Sequence, residues 1–154
     1  MEWIAKQKRL HRIILDPSGR TVAQVRYGGH GYRLCSQDGK PFTNVSEDQS
    51  LHFTITGKAA AGSARIKLSD NSPALFPPRA ESLSLDWGKE SLLLRQSPGR
   101  EISVWRGNRL IGSVKGLLHH DTHLTLPKTA TREMAALVYA LADRMAREDD
   151  IDIV

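Results

Sequence analysis

The sequence predicts a mainly β protein: a closed antiparallel β-barrel of about twelve strands enclosing a central hydrophobic C-terminal α-helix. Three observations carry this expectation. Up to residue 126 the chain reads as short runs of alternating apolar and polar side chains, each cut off by Gly, Pro, Asp or Asn. From Met134 to Ala142 (MAALVYALA) no polar residue interrupts a helical run, so this helix lacks the charged stripe that a solvent-facing helix needs. No repeat period and no low-complexity segment appears, which disfavours a propeller or solenoid.

The elements follow in order. Glu2 to Lys6 reads as a first strand. Leu10 to Leu15 leads into Asp16-Pro17-Ser18-Gly19, a turn in which Pro presets φ and Gly accepts φ > 0, and Thr21 to Tyr27 returns. Gly31 to Ser36, the turn Gln37-Asp38-Gly39-Lys40 and Pro41 to Val45 form a second hairpin, with Asp-Gly as its signal. Ser50 to Thr56 alternates, with Leu51, Phe53 and Ile55 on one face. Ala64, Ile66 and Leu68 alternate with Arg65 and Lys67. Ser69 to Ala80 contains Pro73, Pro77 and Pro78 and is the longest irregular connection.

The rhythm then resumes with Ser82 to Trp87, Glu90 to Gln96, Glu101 to Arg106, Arg109 to Lys115 and Asp121 to Leu126. Gly88-Lys89, Ser97-Pro98-Gly99 and Gly107-Asn108 occupy the turns. Pro127 ends the last strand, Thr129 or Thr131 caps the helix, Glu133 suits its positive first turn, and Arg144 and Arg147 suit its negative last turn. The expected organisation is one domain over residues 1–154: barrel 1–127, central helix 129–147 and acidic tail 148–154.

Barrel and helix belong together by dimensions. A barrel of roughly eight strands is filled by its own side chains, whereas a wider one needs an occupant. A helix with side chains is about 10–12 Å across, and cans of about eleven strands hold one. A sandwich with the helix laid on one face would require a polar stripe where Ala135, Ala136 and Tyr139 stand.

Composition narrows the functional classes. The 154 residues carry a formal net charge of +5. Residues 1–128 hold 19 Lys+Arg against 11 Asp+Glu, and residues 129–154 hold 3 against 6, so the body is basic and the tail acidic. A basic body steers anions toward itself. The single cysteine, Cys35, excludes an internal disulfide and reads as a buried thiol within a strand. The N-terminal MEWIAKQKRL has no apolar core of a signal peptide, and the apolar helix is well short of the roughly 20 residues that span a bilayer. The expectation is a cytoplasmic protein.

The hairpin ISVWRGNRLIGSVKG (Ile102 to Gly116), the strand HLTLP (His123 to Pro127) and the helix EMAALVYALADRM (Glu133 to Met145) together resemble the tubby C-terminal-like superfamily. That superfamily includes tubby proteins, phospholipid scramblases and plant LURP-one-related proteins. The resemblance spans nearly the whole chain in layout. It implies a twelve-stranded barrel around a C-terminal helix, and for tubby members a phosphoinositide site of basic residues on the barrel surface. None of those basic residues matches position by position. The cysteine-rich and proline-rich segments of scramblases are missing.

For anion binding the candidates in this chain are Lys6, Lys8, Arg9 and Arg12, then Arg65 and Lys67 on one strand face, and Arg106 and Arg109 beside the Gly107-Asn108 turn. A phosphorylated head group requires several such cations to converge from neighbouring strands. Few aromatics are available for base stacking, and the acidic tail opposes a nucleic-acid backbone, so nucleic acid is disfavoured as a partner. His119, His120, Asp121 and His123 are the densest metal-capable set, but their spacing fits no zinc motif. Gly57 and Gly62 lack the Lys-Ser/Thr of a phosphate-binding loop, and no nucleophile elbow, H-E-x-x-H or Cys-x-x-Cys occurs.

The reading is therefore a non-enzymatic module without cofactor, binding anionic phospholipid or phosphoinositide head groups at the cytoplasmic membrane surface. One alternative is a protein-interaction or scaffold domain whose partner docks on Ser69 to Ala80. The other is a metal-dependent hydrolase built on His119 to His123.

Overall fold

A computed structural model describes residues 1–68 and 80–150. Twelve strands and one helix form in sequence order. The first six strands are β1 (Glu2–Gln7), β2 (His11–Leu15), β3 (Thr21–Gly28), β4 (Gly31–Ser36), β5 (Pro41–Gln49) and β6 (His52–Gly57). β7 (Gly62–Leu68), β8 (Ala80–Trp87), β9 (Glu90–Gln96), β10 (Ile102–Arg106), β11 (Arg109–Lys115) and β12 (Asp121–Thr125) complete the sheet, and α1 spans Arg132–Asp150. Each strand pairs antiparallel with its sequence neighbours, and β1 pairs with β12 to close the barrel. The expected fold class is the one found.

Alternation places the core. Inward residues such as Ile14, Val25, Leu34, Ile55, Leu85, Leu94, Val104 and Leu124 are buried to 2% exposure or less and face the helix from all around the sheet. Ala135, Ala136, Leu137, Val138, Tyr139, Ala140, Leu141 and Ala142 are all fully buried, so the helix has no wet face over two turns. Small alanines allow strands to approach its axis. Of the two threonines expected as caps, Thr131 serves: its hydroxyl accepts from the Met134 N–H at 3.2 Å. The helix accordingly starts at Arg132 and not at Thr129.

The helix also runs on to Asp150, through the first residues of the expected acidic tail, and the boundaries of β5 and β6 differ from expectation for an identifiable reason. β5 runs on to Gln49, because Glu47 is held at the barrel end by the Arg144 guanidinium (3.0 and 3.1 Å) and the Leu51 N–H (2.9 Å). Ser50 and Leu51 then form the turn, with Leu51 at φ 67°, and β6 begins at His52. The segment 69–79 and residues 151–154 of the acidic tail lie outside the described residues. Among the described residues no helix is long and apolar enough to cross a membrane.

Candidate functional site

Up-and-down connectivity sorts the turns between the two barrel ends. The β1–β2, β3–β4, β5–β6 and β11–β12 turns share the end at which the helix finishes, as the contacts of Arg144 with Glu47 and of Arg147 with the Tyr27 ring (5.1 Å) require. The eight cations named from the sequence do not converge on one place. Lys6 stands on β1 in register with Asp121 of β12. Arg106 donates twice to the Glu90 carboxylate, at 3.0 and 2.9 Å, and pairs in register with Arg109 across the β10–β11 turn. Arg65 and Lys67 face outward on β7, several strands away from either.

Arg12 is turned the other way. It is 3% exposed, and its guanidinium donates to the carbonyls of His119 (2.6 Å), His120 (3.4 Å) and Ala5 (3.4 Å) and to Thr122 Oγ1 (3.2 Å). Its guanidinium carbon also lies 5.6 Å from the Tyr139 ring centre. Arg12 thus tethers β2, the β11–β12 turn and the helix, and belongs to the barrel end rather than to the surface cations.

Among the described residues, two grooves on the outer face of the sheet carry clustered cations. On the first, register alone places His11 of β2 opposite Arg26 of β3, and Arg26 opposite Arg33 of β4. Like charges set directly opposite on adjacent strands oppose folding unless something offsets them. Arg26 donates only to the neutral Gln24 Oε1, at 3.1 and 2.8 Å, and among the described residues neither guanidinium has a carboxylate within ion-pair distance. Lys8 and Arg9 sit in the adjoining β1–β2 turn. The local positive potential registers on His11, whose pKa is lowered by partial burial and then by Arg26 and Lys8. A groove of about 660 Å³ runs across this face, lined by Leu10, Arg26, Tyr27, His30 and Arg33 among others.

The second surface spans β7 to β9. Lys67, Ser82 and Arg95 stand in one register row, with Arg65 and Ser84 in the next, around a groove of about 870 Å³. Its cations are more engaged than those of the first. Arg65 Nε donates to His52 Nε2 at 3.0 Å, the Arg95 guanidinium lies 5.7 Å from the Trp105 ring centre, and Glu81 lines the same groove.

Arg26 and Arg33 are absent from the sequence-derived candidates, yet a signal for them existed. The Gly28-Gly29-His30-Gly31 turn pairs Gly28 with Gly31, and counting back from that pair puts Arg26 against Arg33.

The residues named for metal or nucleophilic chemistry are dispersed. His123 Nδ1 lies 2.9 Å from Glu2 Oε1, Asp121 stands across from Lys6 in strand register, and His119 and His120 present backbone carbonyls to Arg12. Among the described residues no three His, Cys, Asp or Glu side chains are grouped to hold a metal ion. Cys35 is fully buried, and burial pushes its thiol pKa up.

The class of protein that this architecture defines is a closed twelve-stranded antiparallel barrel with a helix through its centre. No family model matches the chain, and no curated protein does. Among solved structures it is similar to an X-ray structure of an Arabidopsis thaliana protein, with a TM-score of 0.54 and 17% sequence identity, over 93% of this chain and 90% of that one. At that identity the likeness concerns the fold alone.

Proposed function

We propose that this chain is a non-enzymatic, tubby-like binding module for the anionic head groups of phospholipids, phosphoinositides in particular, at the cytoplasmic membrane surface. The observation that carries the reading is the in-register Arg26–Arg33 pair, flanked by Lys8 and His11 and lacking any carboxylate partner among the described residues. Strand spacing of about 4.8 Å sets neighbouring cations at the right separation to share one phosphate or to bracket two. A phosphorylated head group removes the repulsion that the free protein sustains. The second surface, with Lys67 and Arg95, serves as the internal comparison.

The reading is tested by co-sedimentation with vesicles of phosphatidylcholine alone or with added phosphatidylinositol bisphosphate. Binding is expected only to the anionic vesicles, weakening as salt rises toward values that shorten the Debye length to a few ångströms. Replacing Arg26 and Arg33 by Ala is expected to abolish it, and replacing Lys67 and Arg95 by Ala to leave it largely intact. Equal binding to neutral vesicles, or the reverse ranking of the two double variants, rejects the assignment.

A further inference from the structure

The groove that carries Arg26 and Arg33 is bordered by apolar side chains held in water. Leu10 is 83% exposed, more than any other large hydrophobic among the described residues, and Tyr27 is 39% exposed. Both line the same groove as the two arginines. Antiparallel counting explains the grouping: His11 opposes Arg26, so Leu10, one residue back, lies beside Tyr27, one residue on. Lys8 and Arg9 immediately precede Leu10 in the β1–β2 turn. An isolated exposed leucine needs no explanation. Here it follows Lys8 and Arg9 in the turn and shares its groove with Arg26, Arg33 and Tyr27, a combination suited to a surface that meets lipid head groups and the top of the acyl region together.

We infer that the β1–β2 turn is a membrane-inserting tip: Leu10, with Tyr27 beside it, enters the interface of an anionic bilayer while Lys8, Arg9, Arg26 and Arg33 engage its phosphates. The inference rests on the head-group reading above and adds the orientation, with the β1–β2 turn and the outer face of β2 to β4 toward the lipid and the acidic end of the helix turned away from it. Leu110, 57% exposed, is the nearest rival, but it stands at the β10–β11 turn, where Glu90 neutralises Arg106 and, among the described residues, leaves Arg109 as the unpaired arginine of the turn, against the four cations near Leu10. The charge complement that an anionic bilayer asks for therefore lies with Leu10.

Two measurements on the full chain separate insertion from head-group capture: vesicle co-sedimentation as above, and calorimetric titration with soluble inositol trisphosphate. Leu10→Ser is expected to weaken binding to bisphosphate-containing vesicles about tenfold, near the lower end for burying a leucine side chain, and to leave trisphosphate affinity unchanged. The Arg26→Ala, Arg33→Ala double variant is expected to lose both. If Leu10→Ser binds vesicles as the parent does while the arginine variant fails, the head-group reading stands and insertion is overturned. Equal loss of vesicle and trisphosphate binding in Leu10→Ser also overturns it, because Leu10 then shapes the pocket. A parent protein that binds trisphosphate but no vesicle makes the ligand a free anion, and one that binds neither ends the head-group reading itself. Leu10-dependent self-association without lipid, seen by sedimentation velocity, assigns the tip to a second copy and overturns insertion as well.

Discussion

Tyr32 Oη donates to Asp143 Oδ2 at 3.1 Å, joining β4 to the central helix across 111 residues of sequence. Asp143 is fully buried, and its carboxylate also accepts from Arg147 Nε at 2.7 Å and from Tyr139 Oη at 3.4 Å. Burial and the neighbouring carboxylate raise the Tyr32 hydroxyl far above its ordinary range, so it stays a donor at every working pH. The bond from Tyr32 fixes how far the helix penetrates, because Tyr139 and Arg147 move with Asp143, whereas sliding the helix by one turn would part the buried carboxylate from its donor on the sheet. Tyr32→Phe is expected to cost about 1–2 kcal/mol, the penalty for removing one donor from a buried acceptor. Asp143→Ala is expected to cost more, by stranding two buried hydroxyls. Urea titration followed by far-UV circular dichroism measures both, and a neutral Asp143→Ala would show that packing alone sets the helix position.

Arg12 and Lys8 are four residues apart and make opposite predictions. Arg12→Ala removes the donor to three backbone carbonyls and a buried hydroxyl, and is expected to destabilise the fold by about 2–4 kcal/mol. Lys8→Ala, on an exposed turn, is expected to lie within about 0.5 kcal/mol of the parent. Thermal unfolding of the two variants side by side checks the contrast. It also decides how binding data are read: Lys8→Ala tests the surface, whereas Arg12→Ala tests the barrel.

His11 gives a pH dependence with a definite sign. Its folded pKa lies below the ordinary value of 6.5, through partial burial and the charges of Arg26 and Lys8. Between the folded and unfolded values the unfolded chain carries the proton and the folded chain does not. Folding stability therefore falls as pH drops through this window, and no effect remains above pH 6.5, where both forms are neutral. Proton NMR titration is expected to give a His11 midpoint below 6.5 in the free protein and a higher one once soluble inositol trisphosphate is bound, since the ligand's charge opposes Arg26 and Lys8. A midpoint unmoved by saturating ligand would place the anion away from β2. His11→Gln is expected to remove this component of acid destabilisation.

The helix and the strand count were legible because both rest on periodicity, and nothing in the chain competes with MAALVYALA as a buried plug. The direction of Arg12 was not. Ile13, Ile14 and Leu15 follow it, so both faces of β2 are apolar and alternation gives no vote; the structure buries Ile14 and Arg12 and leaves Ile13 and Leu15 half-buried. The Arg26–Arg33 pairing was legible only through register, a relation between two strands that no single run displays. Arg95 was passed over for the same reason: it joins Lys67 only through Ser82, one strand between them.

The seam between the first and twelfth strands sets the order in which the molecule can be completed. The hydrogen-bonding edge of β1 has no partner until residues 121–125 have been made, and the helix that fills the interior follows later still. A nascent chain therefore carries an open, unfilled sheet through most of its synthesis, with two free edges and a row of leucines and valines in water. Eleven of the twelve strand pairings join neighbours in sequence and can form as the chain grows, whereas enclosure joins its most distant segments, which places the aggregation hazard before closure.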